Sequence, residues 1–121
     1  MKRNLDTVRR LLELVESQPA GQPLVTFSGS FENTPVEVVE HLQLMIDAGL
    51  IEGEAQTDPE MEGGGIFVIS KLTWAGHDFL DAARSEEVWN ATKRRIAKVG
   101  SWTFGLVLEV LKEEAKRRIG L

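Results

Sequence analysis

Hydrophobic residues recur at helical spacing in two segments of the first half of the chain, and strong end signals delimit both. The first predicted helix begins after Asn4, a good N-cap, and ends near Ser17 because proline and glycine residues follow. The second is predicted over residues 34–48, since Thr34-Pro35-Val36-Glu37 is a capping box and Gly49 suits a left-handed stop. The apolar positions are Leu5, Val8, Leu11, Leu12 and Val15, then Val38, Val39, Leu42, Met45 and Ile46.

Three short runs of strand-forming residues are separated by turn residues. Leu24–Phe27 is bounded by proline, glycine and serine, and it needs a partner strand. Leu50–Glu54 and Ile66–Ile69 flank the polar loop Thr57–Gly65, which ends in three glycines. Two strands around a glycine-rich loop predict a β-hairpin.

Three further helices are predicted after the hairpin. The first runs from Thr73 to about Arg84, the next from its cap Ser85 to Gly100, and the last over about 103–119. The apolar stripe of the last helix is broader than one core contact requires, which favours either burial in this chain or contact with a second copy. The inward positions are Val88, Trp89, Thr92, Ile96 and Val99, then Phe104, Leu106, Val107, Leu108, Val110 and Leu111.

This order of elements predicts an α+β, mainly helical fold. Helix, strand, helix and hairpin resemble a winged helix-turn-helix module, followed by three C-terminal helices. We expect one domain over residues 1–121, with the winged-helix-like module at 1–84 and a helical extension at 85–121. The expected core comprises Leu12, Leu42, Ile46, Phe67, Ile69, Leu72, Phe79, Leu80, Ile96 and Leu108, with Trp74, Trp89 and Trp102 filling the region around them.

Several stretches of the chain together resemble one protein family. They are Met1–Asp6, His41–Leu50, Val88-Trp89 and, most distinctively, Leu72-Thr73-Trp74-Ala75-Gly76-His77-Asp78-Phe79-Leu80-Asp81. The chain is similar in these stretches to a family of small bacterial and prophage proteins catalogued as a domain of unknown function. The resemblance implies a winged-helix-like fold and a phage or prophage association. It implies no activity, so no functional residues are carried over.

Composition excludes several classes of protein. The chain has 121 residues, 42% of them hydrophobic and 27% charged, which is typical of a globular domain. With no cysteine there are no disulfides, thiolate nucleophiles or cysteine-bound metals. No apolar run approaches the roughly 20 residues of a membrane span, and no signal-peptide stretch follows Met1. We therefore expect a cytoplasmic protein without membrane contact.

Charge is partitioned along the chain. The segment Leu11–Ser70 contains eleven acidic residues and no lysine or arginine, whereas the net charge of the whole chain is only −5. In a winged helix the recognition helix enters the major groove and the wing approaches the backbone. Duplex DNA carries about one negative charge per 1.7 Å, so an acidic helix and wing would be repelled. The acidic side chains on these two elements are Glu37, Glu40, Asp47, Asp58, Glu60 and Glu62.

Basic residues instead gather near the two ends of the chain. One group is Lys2, Arg3, Arg9 and Arg10, the second is Lys93, Arg94, Arg95 and Lys98, and the third is Lys112, Lys116, Arg117 and Arg118. Such groups complement helix dipoles or remain solvated, and they are also the alternative contacts for nucleic acid. The strongest candidates for that alternative are Arg94, Arg95, Lys98, Arg117 and Arg118.

The sequence does not contain a catalytic motif. His41 follows Glu37 by one helical turn, which predicts an intrahelical contact rather than a metal site, because no HExxH pattern is present. His77 is expected to hydrogen-bond backbone or carboxylate groups where the hairpin passes into the next helix. The three glycines Gly63–Gly65 lack the following lysine of a phosphate-binding loop. We expect no enzyme, no cofactor and no metal.

These observations favour a non-enzymatic interaction protein. We expect the acidic helix and wing to contact a protein partner or a second copy of the chain, and in one specific version to imitate the charge of nucleic acid. The alternative is a DNA-binding transcriptional regulator that uses the basic groups near the termini.

Overall fold

The computed structural model describes residues 2–25, 35–56 and 66–120. These residues form an α+β, mainly helical fold, as the sequence predicts. The elements, in chain order, are α1 (Leu5–Glu16), β1 (Leu24–Val25), α2 (Pro35–Asp47), β2 (Ile51–Gln56), β3 (Ile66–Leu72), α3 (Trp74–Ala83), α4 (Glu86–Val99) and α5 (Phe104–Arg118). The capping residue Thr34, the strand positions Thr26 and Phe27, and the loop at 57–65 lie outside the described residues.

The first helix begins at the predicted cap. Asn4 Oδ1 accepts hydrogen bonds from the backbone N–H groups of Asp6, at 2.9 Å, and Thr7, at 3.2 Å. The acidic Asp6 in the first turn also suits the positive end of the helix dipole. One face of α1 is then buried through Leu11, Leu12 and their neighbours, because the apolar residues follow the helical period.

Three antiparallel strands form one sheet in the order β1-β3-β2. Leu24 pairs with Ile69, so the short first strand finds its partner in β3. The predicted hairpin pairing of β2 with β3 is confirmed over the described residues, from Ile51 opposite Leu72 onwards. The register shifts between Glu52 and Gly53 in β2, which is the pattern of a β-bulge.

The predicted glycine stop of α2 is confirmed. Gly49 has φ +75°, and its N–H donates to the Ile46 carbonyl at 3.0 Å. The N–H of Leu50 donates to the Met45 carbonyl at 2.9 Å, which completes a Schellman motif. Leu50 is buried, and strand β2 begins at the next residue, Ile51.

Helix α4 also begins and ends at predicted signals. Ser85 Oγ accepts the N–H of Val88 at 3.3 Å, and Gly100 ends α4 with φ +82°.

The Phe79 ring of α3 contacts two other aromatic rings. Its centroid lies 6.2 Å from that of Trp89, edge-on, and 4.8 Å from that of Phe104, in a stacked arrangement. Edge-on and offset-stacked rings are the favoured geometries of buried aromatic pairs.

Contacts divide the chain into two compact units, Met1–His77 and Asp78–Leu121. We call them the first unit and the second unit. The boundary predicted from the sequence lies slightly later, after residue 84. The first unit contains twelve acidic and five basic residues, for a net charge of −7, whereas the second contains seven acidic and nine basic residues, for +2.

Most expected core residues are buried, and two expectations are wrong. Trp74 is 83% exposed, because the buried face of α3 follows Gly76, and a position two residues earlier lies about 200° around the helix. Val99 is 62% exposed at the last residue of α4, where burial of that face ends at Ile96. Buried as expected are Leu12, Leu42, Ile69, Leu72, Phe79, Leu80, Trp89 and Ile96, while Ile46, Trp102 and Leu108 are half-buried and the side chain of Phe67 is not described.

Candidate interaction surface

One face of α2 is exposed along the length of the helix. Glu37, Glu40, Leu44 and Asp47 lie at spacings of three, four and three residues, which places them in one row. We call this row the acidic stripe. Helix α2 contains no lysine or arginine, so its exposed face carries three carboxylates and no cation of its own. The sequence-predicted residues Glu37, Glu40 and Asp47 are thus brought together, whereas Asp58, Glu60 and Glu62 lie outside the described residues.

Leu44 lies between the acidic side chains and is 38% exposed. Together with Arg3, Glu40 and Gln43 it lines an open depression of about 450 Å³. Gln43 Nε2 also donates to Asp47 Oδ1 at 3.0 Å. An apolar residue surrounded by polar groups is the arrangement found at the centre of many protein interfaces.

The opposite face of α2 is fixed to α1 by a buried histidine. His41 is only 1% exposed, and its Nε2 accepts the backbone N–H of Asn4 at 2.9 Å. The proton is therefore on Nδ1, which donates to the Glu37 carbonyl oxygen at 2.7 Å. The predicted contact between His41 and Glu37 exists, but it involves the backbone carbonyl rather than the carboxylate. Both ring nitrogens are occupied, so this histidine has a structural role.

The first unit carries further carboxylates on strand β2 and on helix α1. Glu52 and Glu54 are exposed on β2, and Lys71 Nζ approaches Glu52 Oε2 at 3.8 Å. His77 Nδ1 lies 4.0 Å from Glu16 Oε2, which agrees with the expected carboxylate contact of this histidine. The side chain of His77 is about half exposed, so the pair is solvated rather than enclosed.

In the second unit, the predicted nucleic-acid contacts are partly occupied by carboxylates. Glu114 is buried on α5, with a side chain only 5% exposed, and three guanidinium groups surround it. Arg118 Nη1 donates to Glu114 Oε2 at 2.7 Å, Arg95 Nη1 lies 3.2 Å from Oε1, and Arg117 Nη1 lies 3.5 Å from Oε1. The hydrogen bond from Arg118, with a smaller one from Arg95, lowers the pKa of the Glu114 carboxyl despite its burial.

Two more carboxylates complete this cluster. Arg95 Nη2 lies 2.9 Å from Glu113 Oε2, and Arg118 Nε lies 3.6 Å from Glu87 Oε1. Because these pairs join residues of α4 to residues of α5, they hold the two helices together. The remaining candidates Arg94 and Lys98 are exposed on α4.

Sequence reasoning missed the joint between α2 and α3. Thr73 Oγ1 donates to the Gly49 carbonyl at 2.5 Å and accepts the N–H of Gly76 at 3.1 Å, so it caps α3 while binding the end of α2. The N–H of Thr73 also donates to the Leu50 carbonyl at 3.0 Å.

The exposure of Trp74 was also missed, although the sequence contains a signal for it. The apolar period of α3 excludes Trp74 from the buried row of that helix.

The described parts of the chain contain neither a cluster of metal ligands nor a helix that could span a membrane. Among residues 2–25, 35–56 and 66–120, no three histidine or carboxylate side chains lie close enough to hold a metal ion. In the same ranges no helix has the length and apolarity needed to cross a membrane.

Fold and surface together describe a small α+β protein whose exposed acidic helix lies on a firmly packed scaffold. The chain belongs to the family described as "Hypothetical protein (DUF2513)", which it matches over residues 2–102. This finding confirms that the chain is a member of a domain-of-unknown-function family. It is also 33% identical, over 117 residues, to an uncharacterized protein of Haemophilus influenzae (strain ATCC 51907 / DSM 11121 / KW20 / Rd). That alignment covers 96% of this chain and 93% of the relative. No solved structure matches the chain.

Proposed function

We propose that this protein is a non-enzymatic binding protein that presents α2 on a winged-helix-like scaffold to a basic protein surface. The order α1, β1, α2, β2, β3 and the sheet order β1-β3-β2 support the winged-helix-like assignment, since they match a helix and a strand followed by a helix and an antiparallel wing. The partner is a protein rather than a small molecule, because the exposed face is a long, open row of side chains.

The acidic stripe is the observation that carries this proposal. In the winged-helix arrangement α2 is the helix that would meet DNA, yet its exposed side chains repel phosphate. The same charges favour contact with lysine and arginine side chains, and they accelerate encounter with a basic surface. Leu44 in the middle of the row supplies an apolar centre that a partner can dehydrate.

A partner of specific chemistry follows from this reasoning. A helix that carries carboxylates where a DNA-binding helix carries cations resembles the charge pattern of nucleic acid. The proposed partner is therefore the basic groove of a nucleic-acid-binding protein, and the proposed setting is phage or prophage biology in the cytoplasm. A second copy of this chain, forming a homodimer, is the competing occupant of the same face.

The alternative is a DNA-binding regulator that uses Arg94, Arg95, Lys98, Arg117 and Arg118. The contacts of Arg95, Arg117 and Arg118 with Glu114 weigh against it, because these cations already neutralise carboxylates of the second unit. Binding phosphate would require them to exchange those partners.

Displacement of DNA from an arginine-rich protein tests the proposal. A labelled DNA duplex is bound to protamine, and the anisotropy is followed as this protein is added. We expect the wild-type protein to release the duplex, and the charge reversal Glu37→Lys with Glu40→Lys to need at least tenfold more protein. The matched control is Glu86→Lys with Glu109→Lys, which changes the net charge equally in the second unit.

The displacement titration and two companion measurements, of duplex binding and of self-association, decide between the candidate functions. Equal loss in both double variants would attribute release to overall charge and refute the role of the acidic stripe. No release by the wild-type protein would refute the binding function. Salt-sensitive binding of the duplex to this protein alone, in the absence of protamine, would favour the regulator instead. Concentration-dependent dimers that Leu44→Ala abolishes would identify a second copy as the occupant of the stripe.

A further inference from the structure

Trp74 is the most exposed large apolar side chain among the described residues, at 83%. Tryptophan is among the residue types enriched in interface hot spots. The indole is also the aromatic ring that binds cations best.

The backbone of Trp74 is held rigidly beside the C-terminal turn of α2. Its neighbour Thr73 donates to the carbonyl oxygens of both Gly49 and Leu50, through Oγ1 and the backbone N–H. Gly76 packs so closely on the Leu50 carbonyl that no larger residue fits. The backbone at such a joint needs no ordering when a partner binds, which favours affinity.

The C-terminal turn of α2 carries negative charge and no basic residue of its own. Carbonyl groups at a helix C-terminus bear a partial negative charge, which lysine or arginine commonly offsets. The last turn of α2 contains no basic residue, and it contains the exposed Asp47. Asp47 therefore adds a full negative charge at the end of the helix where it is least favourable. A cation bound there would offset both the helix dipole and the carboxylate.

We propose that Trp74 and the C-terminal turn of α2, including Asp47, form a receptor for one guanidinium group of a basic partner. The inference rests on the proposed function, because it assumes a partner rich in arginine. A guanidinium stacks flat on an indole while its N–H groups donate to a carboxylate, and it is more weakly hydrated than an ammonium group. The receptor should therefore prefer arginine to lysine.

Hexa-arginine peptide, with hexa-lysine as the comparison, is the probe for this receptor. The protein is labelled with nitrogen-15, and amide and indole N–H signals are followed during titration. We expect shifts at the Trp74 indole and the Gly49 amide, with weaker binding of hexa-lysine. Trp74→Ala should reduce the hexa-arginine affinity about 2- to 30-fold, and Trp74→Phe should retain part of it. Asp47→Asn should also weaken binding.

The positions of the shifts separate this inference from the proposed function. Shifts at Glu37, Glu40 and Leu44 without change at Trp74 would overturn the receptor and leave the acidic stripe intact. Shifts confined to Trp74 and Gly49 would support the receptor and count against the stripe. No shifts anywhere would overturn both. Equal affinity for the two peptides, or an unchanged affinity of Trp74→Ala, would refute the assignment of a guanidinium site.

Because the Trp74 side chain is exposed, Trp74→Ala should leave the fold intact. The hydrogen bond from the Asn4 amide to His41 provides a check, since the Asn4 N–H signal depends on the packing of α1 against α2. An unchanged Asn4 signal shows that a loss of binding comes from the missing indole.

Discussion

Replacement of Gly76 by alanine should strongly destabilise the protein, although alanine is the better helix former. A Cβ atom at this position would lie far inside van der Waals contact with the carbonyl oxygen of Leu50, whereas real contacts of this kind are essentially never below 3.0 Å. The obstacle is backbone, so no side-chain rotation can relieve it. Helix α3 must move away from the turn that follows α2.

The cost can be estimated from the contacts that the movement breaks. The Leu50 carbonyl accepts the N–H of Thr73 at 3.0 Å, and losing this hydrogen bond costs about 1 kcal/mol. Overpacking of a tight contact costs a further 1–3 kcal/mol, roughly. The helix propensity of alanine returns about 1 kcal/mol. We therefore expect Gly76→Ala to lower the free energy of unfolding by about 1–3 kcal/mol.

Urea unfolding followed by far-ultraviolet circular dichroism measures this change. The matched control is Gly105→Ala, also within a helix, where an added Cβ meets nothing within 4 Å. The control should be stabilised by about 0.5–1 kcal/mol, because only the propensity term remains. If Gly76→Ala is as stable as the control, the close approach of α3 to Leu50 is not a real constraint of the fold.

Three further substitutions test single contacts. Glu114→Gln should lower the free energy of unfolding by about 1.5–3 kcal/mol at neutral pH, with Glu109→Gln as the exposed control on α5. The pKa of Glu114 is lowered in the fold, so the difference in stability between Glu114→Gln and the wild-type protein should depend on pH. It should be complete above the ordinary glutamate pKa of about 4.3 and disappear as the pH falls through the folded pKa. A pH-independent difference would contradict the ion-pair explanation. His41→Phe should cost about 1–3 kcal/mol and expose the Asn4 amide to hydrogen exchange, whereas retained protection would mean that the imidazole does not hold that amide. Thr73→Val, which keeps the shape but removes the hydroxyl, should cost about 1–2 kcal/mol in urea unfolding; an unchanged stability would exclude the hydroxyl bridge to Gly49.

Local signals predicted the elements of this fold well. Asn4, Ser85, Gly49 and Gly100 each define a helix end through a contact with the adjacent backbone, and such contacts depend on nearby sequence. Two runs of strand-forming residues around a glycine-rich loop likewise predicted the antiparallel hairpin. Grouping Glu37, Glu40 and Asp47 on one face needed only the helical period.

Contacts between distant residues were not predictable in the same way. The hydrogen bond from Asn4 to His41 joins residues 37 positions apart, and the partners of Glu114 on α4 depend on how two helices pack. The exposure of Trp74 was missed because a large aromatic residue was assigned to the core by its type rather than by its position on the helix. Residue type favours burial, but the direction of the side chain decides it.

The three-residue link between α2 and β2 limits how the length of this chain can change. Gly49 and Leu50 end a helix, set the first residue of a strand and accept the hydrogen bonds of the Thr73 joint. Inserting or deleting one residue there would shift β2 by one position, which would turn Ile51 outward and Glu52 toward the core. We infer that in related sequences the spacing between α2 and β2 is fixed, even where the residues around it vary.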